Sequence, residues 1–176
     1  MKWVTRNYVH LDRVACPWLT KRFIDPDAEF VFVPWGKEDE RPAGAIPFAI
    51  PQVELGPHDA QGTTFQKLLT KFKLDDPVLD RMAKVIAGGV DCALHDYRPG
   101  PGENDGQIAV GLLAISDGLM LIKESDDEVI EASMVVYDAL YANFKAYALL
   151  EASGEKLPPR GNRGARRHTS ALGAQL

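Results

Sequence analysis

The sequence predicts an α+β fold with a helical excess, in which a small N-terminal β portion packs on a bundle of four to five helices. Three observations predict it. β-Formers gather in residues 3–9 and again in Glu29–Val33. Apolar residues recur at helical spacing after residue 63. Residues 107–122 are apolar nearly all round, as expected of a central buried helix. With 176 residues, 45% apolar and 26% charged, the chain can bury one sizeable core and is too apolar for disorder.

Taken in order, residues 3–9 read as a short strand. A helix follows over residues 17–24. Pro17 would be its first residue, where a missing N–H costs nothing, and Cys16 its N-cap. Asp25-Pro26 ends it, because the residue before proline avoids the α region. Glu29–Val33 reads as a strand stopped by Pro34. Residues 36–62 hold Pro42, Pro47, Pro51 and Pro57, which leaves room only for short strands at 46–50 and 52–55. A loop of that length is often a site or a lid. Thr63-Thr64-Phe65-Gln66 fits a capping box opening a helix with Leu68, Leu69 and Phe72 on one face. Asp76-Pro77 opens the next, with Leu79, Met82, Ala83 and Ile86 at helical spacing, and Gly88-Gly89 is expected to end it. The apolar helix of residues 107–122 comes after a Gly/Pro/Asp-rich segment. Ser125-Asp126-Asp127-Glu128 is a second capping box. It opens a long helix carrying Ile130, Met134, Tyr137, Tyr141, Phe144 and Ala148 on one face. Residues 1–153 thus read as one domain and 154–176 as a flexible basic tail.

The net charge is −5, and the tail is basic, so the body carries −9. An acidic body argues against nonspecific nucleic-acid binding, which needs a basic face. Residues 1–6 contain no apolar run of signal-peptide length. The stretch 108–122 is broken by Ser116 and Asp117 and reads as too short to span a bilayer. Two cysteines, Cys16 and Cys92, make no disulfide framework. A cytoplasmic setting is the simplest expectation.

Residues 10–18, His-Leu-Asp-Arg-Val-Ala-Cys-Pro-Trp, are the richest in reactive groups. A Cys16 thiol at a helix N-terminus would be favoured as thiolate, whereas a small buried apolar role is its commoner fate. Arg13 and Arg22, with that helix start, would form an oxyanion cradle. Asp12 would pair with Arg13, and Arg22, one turn after Trp18, could stack on its indole. His10, His58 and His95 each lie near carboxylates: Asp12 for the first, Asp59 and Glu54 for the second, Asp96 and Asp91 for the third. His168 falls in the tail. Two or three imidazoles with a carboxylate suit a first-row transition metal, iron or manganese ahead of zinc. The alternative is three loop histidines bonded to neighbouring carboxylates. Asp117 is a secondary candidate if the apolar helix buries it.

The block from Val9 to Leu19, followed by Arg22-Phe23-Ile24-Asp25-Pro26, resembles the signature of the chromate-resistance protein family, the ChrB C-terminal type of domain. Glu29–Val33 with Pro34, Ile46-Pro47-Phe48, Val53-Glu54-Leu55-Gly56, Thr64-Phe65 and Leu68-Leu69 resemble its later segments. So do residues 111–116 and 134–141. His58 falls where the family's middle loop carries histidine. The resemblance covers residues 3–147. It departs at Gln66, where the family often has glutamate, at Thr63 and Thr64, and around His95, which is not carried over. It implies the domain alone, without the N-terminal region of longer members, and a link to chromate without a defined reaction.

Together these readings lead to a cytoplasmic metal-binding domain of chromate or oxidative-stress defence, leaning to a metal-dependent enzyme. His58 and Glu54, joined by His10 or His95, would ligate a divalent transition metal. Asp12, Arg13, Cys16 and Arg22 would be catalytic, and Arg13, Trp18 and Arg22 would bind the substrate. The expected partner is a small anionic or oxygen-rich molecule, not membrane or nucleic acid, with a homodimer as the assembly to test. The rival is a sensor that binds chromate at the Asp12–Trp18 helix start without catalysis. A thiol-dependent reductase acting through Cys16 is a third reading.

Overall fold

A computed structural model describes residues 1–154. The expected tail falls outside them, apart from Gly154. Strand β1 (Lys2–Arg6) is the middle of a three-stranded parallel sheet ordered β2-β1-β3, with β2 at Glu29–Val33 and β3 at Ile46–Pro47. Trp3 pairs in register with Phe30 on one side and Ile46 on the other. Parallel neighbours need a crossover, and helix α1 (Asp12–Leu19), extended by a π-helical turn at Thr20–Ile24, supplies the one between β1 and β2. Four helices follow: α2 (Thr64–Phe72), α3 (Pro77–Leu94), α4 (Asn104–Ile122) and α5 (Asp126–Ser153). The architecture is α+β and helix-rich, as the sequence predicts.

The cap positions are as predicted, but at α5 only the Ser125 half of the expected box forms, because Glu128 accepts instead from Glu124 N–H. Thr63 and Gln66 exchange side-chain and backbone bonds at the start of α2. Asp76 accepts from Val78 N–H at α3, and Ser125 from Glu128 N–H at α5. One core gathers the buried Trp3, Trp18, Phe48, Phe65, Met82, Ile86, Tyr137 and Phe144.

Three expectations fail for physical reasons. First, α1 begins five residues early, at Asp12, so Cys16 is not an N-cap and Pro17 lies inside the helix. Its entry is fixed by tertiary contacts instead of a side-chain cap. Leu11 sits at φ +47°, a region non-glycine residues rarely adopt. Ser116 Oγ accepts its N–H at 2.7 Å, and Tyr137 Oη donates to its carbonyl at 3.1 Å. Asp126 accepts from Tyr8 and Val9 N–H just before it.

Second, Gly88-Gly89 does not end α3, which runs on to Leu94. A Cβ on Gly88 would come 3.3 Å from Ala109 Cβ, and one on Gly89 3.1 Å from Leu11 Cδ2. The two glycines therefore let α4 and the α1 entry pack directly on the α3 backbone. Third, α4 is not a central buried helix. It buries only Ala109, Leu112 and Ser116, while Leu121 is 86% exposed. It is also longer than the 15-residue run suggests: at 19 residues it is long and apolar enough to cross a membrane. One face packs on α3 and α5, and Asp117 is exposed rather than buried.

Candidate functional site

The polar groups of α1 separate into two environments. The buried side is closed. Asp12 accepts from the backbone N–H of Thr64 (2.9 Å) and Phe65 (3.0 Å), so its carboxylate sits on the N-terminus of α2. An anion is favoured there by the free N–H groups and the helix dipole. Burial still pushes its carboxyl above the ordinary value, against those bonds. The Cys16 thiol points at the same carboxylate at 3.6 Å. Burial, and then Asp12, raise that thiol well above its usual range, the reverse of what a thiolate nucleophile needs. Asp12 and Cys16 thus clamp α1 to α2.

Trp18 and Arg22 are turned away too. The indole N–H donates to Asp138 Oδ1 at 2.8 Å, and Arg22 forks onto both Asp138 oxygens at 2.8 and 2.7 Å. Trp18 does not stack on Arg22. Its ring packs among Phe23, Phe65, Tyr137 and Tyr141. The π-helical turn carries Arg22 toward α5, so it forms no cradle with Arg13. The Arg22 bonds hold the Asp138 carboxyl below its ordinary range.

The open side faces a cavity of about 300 Å³, lined among others by Arg6, His10, Arg13, Trp35 and His58. Arg13 is braced by carbonyls: it donates to those of Arg6, Asn7 and Tyr8. Burial and the neighbouring Arg6 lower it to about 10. The Arg6 guanidinium lies 3.6 Å over the Trp35 ring and that of Arg13 5.3 Å from it. Glu38 comes within 3.7 Å of Arg6. Two buried polar atoms here have no hydrogen-bond partner among the described residues, Arg6 Nε and His58 Nδ1. Such orphans are rare in folded proteins.

Beside this cavity, which His58 lines, ligand atoms of His58, Asp91 and His95 lie within 4.8 Å of one another. Asp91 and His95 share a face because α3 continues past its glycines; four residues apart, they are helical neighbours. His58 Nε2 is 3.8 Å from Asp91 Oδ1, and the two imidazole centroids are 6.1 Å apart. Metal bonds of about 2.0–2.2 Å place neighbouring ligands roughly 3–3.5 Å apart. Small side-chain rotations would close the cluster on an ion. Two imidazoles and a carboxylate are a donor set for first-row transition metals.

Of the expected ligands, His58 and His95 converge and the other two do not. Glu54 is ion-paired with Lys71 on α2. His10 lines the cavity wall but faces Asp117, its Nε2 3.5 Å away. Burial lowers His10 below its ordinary value, with Asp117 opposing. Arg6, Trp35 and Asp138 carried no local signal. Asp91 did, through its spacing to His95, but a helix thought to stop at Gly88-Gly89 hid the shared face.

Fold and site together define a helix-rich α+β domain with an arginine-lined cleft beside a His/Asp cluster. Residues 3–144 match the ChrB C-terminal domain, and the chain belongs to that family. It is 32% identical over 152 residues to Protein ChrB of Cupriavidus metallidurans, covering 82% of this chain. The chain spans 41% of the length of that relative. No solved structure matches it.

Proposed function

We propose that this domain is a metal-dependent anion-binding module serving chromate resistance or its regulation. The convergence of His58, Asp91 and His95 supports this most directly. Three protein ligands in a partly exposed cluster leave coordination positions open, as in catalytic rather than structural metal sites. A bound iron or manganese ion would supply Lewis-acid or redox chemistry. The residues have separate tasks. His58, Asp91 and His95 hold the ion, Arg6 and Arg13 attract and orient an oxygen-rich anion, and Trp35 covers the guanidinium end. A cytoplasmic setting fits two cysteines that are both free.

Metal analysis by mass spectrometry, on protein purified without a histidine tag, tests the reading. One transition-metal ion per chain is expected, lost in His58→Ala and in His95→Ala and retained in Glu54→Ala. A starting protein without stoichiometric metal, even after reconstitution with Fe(II) or Mn(II), would sink it.

A further inference from the structure

The cavity lined by Arg6 and Arg13 is larger and more apolar than an inorganic oxyanion needs. Its volume, about 300 Å³, lies at the lower end of the range for organic ligands, roughly 300–1,000 Å³. A five-atom tetrahedral anion would leave most of it filled by water against Leu11, Ala49, Val90, Ala93 and Leu94. Apolar wall in contact with water is a cost that an apolar ligand body would remove.

The two arginines of the lining lie together. Arg6 and Arg13 share the Trp35 ring, 3.6 and 5.3 Å from its centroid. The Asp12 oxygens already accept from Thr64, Phe65 and Cys16. Glu38, 3.7 Å from Arg6, offsets part of its charge, and Asp126 and Asp12 act on Arg13 in the same sense. Arg6 Nε is buried without an acceptor among the described residues. A planar guanidinium in that state suits a planar carboxylate, whose two oxygens match its fork.

We infer that the cavity takes a small organic carboxylate. Its anionic head meets Arg6 and Arg13. Its apolar body lies along Leu11, Val90 and Ala93. Its far end lies toward His58, which belongs both to the cavity wall and to the cluster with Asp91 and His95. The inference rests on the reading that the arginine end and the His/Asp cluster form one site.

Benzoate is the probe. The full chain, labelled with nitrogen-15, is titrated with benzoate, with sulfate at equal ionic strength, and with benzyl alcohol, while amide shifts are followed. Benzoate should saturate, with shifts centred on Leu11, Val90 and Ala93. It should bind at least tenfold tighter than either sulfate or benzyl alcohol. Arg6→Gln should weaken it at least tenfold. Ala93→Phe, on an exposed helical position, fills the cavity without adding charge and should do the same. That second variant keeps the test valid should Arg6→Gln fail to fold. Equal binding of sulfate and benzoate overturns the inference, as does benzoate binding unchanged in Ala93→Phe. Metal content is read separately on the same samples. Benzoate binding to a chain that never takes up metal would sink the metal-dependent reading and leave the carboxylate site standing. Metal binding without benzoate binding would do the reverse.

Discussion

The two ends of the α1 region hold similar chemistry and differ in how much of it is already satisfied. Asp12, Cys16, Trp18 and the exposed Arg22 each have a partner within the fold. On the cleft side, Arg6 Nε and His58 Nδ1 are buried without a hydrogen-bond partner among the described residues, and ligand atoms of His58, Asp91 and His95 converge. A carboxylate on two backbone N–H groups fastens helices. Polar groups left unpaired near solvent are available to a ligand. Reactive residue types therefore indicate less about function than the state of their hydrogen bonds.

Substitutions should separate the two sides. Asp12→Ala leaves the N-terminus of α2 without its acceptor and should cost about 3 kcal/mol in denaturant unfolding. A variant of full stability that has lost metal would break the distinction. His58→Ala should lower metal affinity at least about 100-fold, yet change stability of the metal-free protein by no more than about 0.5 kcal/mol. A larger loss would place His58 among the fastening residues. Trp18→Phe keeps the aromatic packing and removes the bond to Asp138, for a loss of about 1 kcal/mol and no change in metal content. Iodoacetamide should leave Cys16 unmodified in the native chain and alkylate it fully in denaturant, as mass spectrometry would show. Rapid native alkylation of Cys16 would revive the thiol readings.

The smallest effect is a pH dependence. Burial holds His10 below its ordinary value of 6.5 in the folded chain. The unfolded chain therefore takes up the proton first as pH falls. Stability from this residue is present above 6.5 and lost as pH drops through the folded value. Urea unfolding at pH 7.5 and 5.5 should show a smaller drop for His10→Asn than for the parent. An equal drop assigns the dependence elsewhere.

The fold was largely legible. The capping residues Thr63, Asp76 and Ser125 act through bonds within one turn, so their effect is written locally. The start of α1 was not. Leu11 holds a strained conformation only because Ser116 and Tyr137, 105 and 126 residues away, bond its backbone. The site was half legible. The histidines and the Asp91–His95 spacing stood in the sequence, and their meeting did not. Gly88-Gly89 looks the same whether it stops a helix or lets another pack closely, and only the position of Ala109 and Leu11 distinguishes the two.

By itself the sequence determined the class of fold, the helix starts with local caps and the family. These depend on neighbours in the chain, on apolar periodicity or on a motif of adjacent residues. The tertiary structure decided which reactive groups are used up and which remain. That depends on partners far apart in sequence: Asp12 with α2, Trp18 and Arg22 with Asp138, and His58 brought from a proline-rich loop to the last turn of α3.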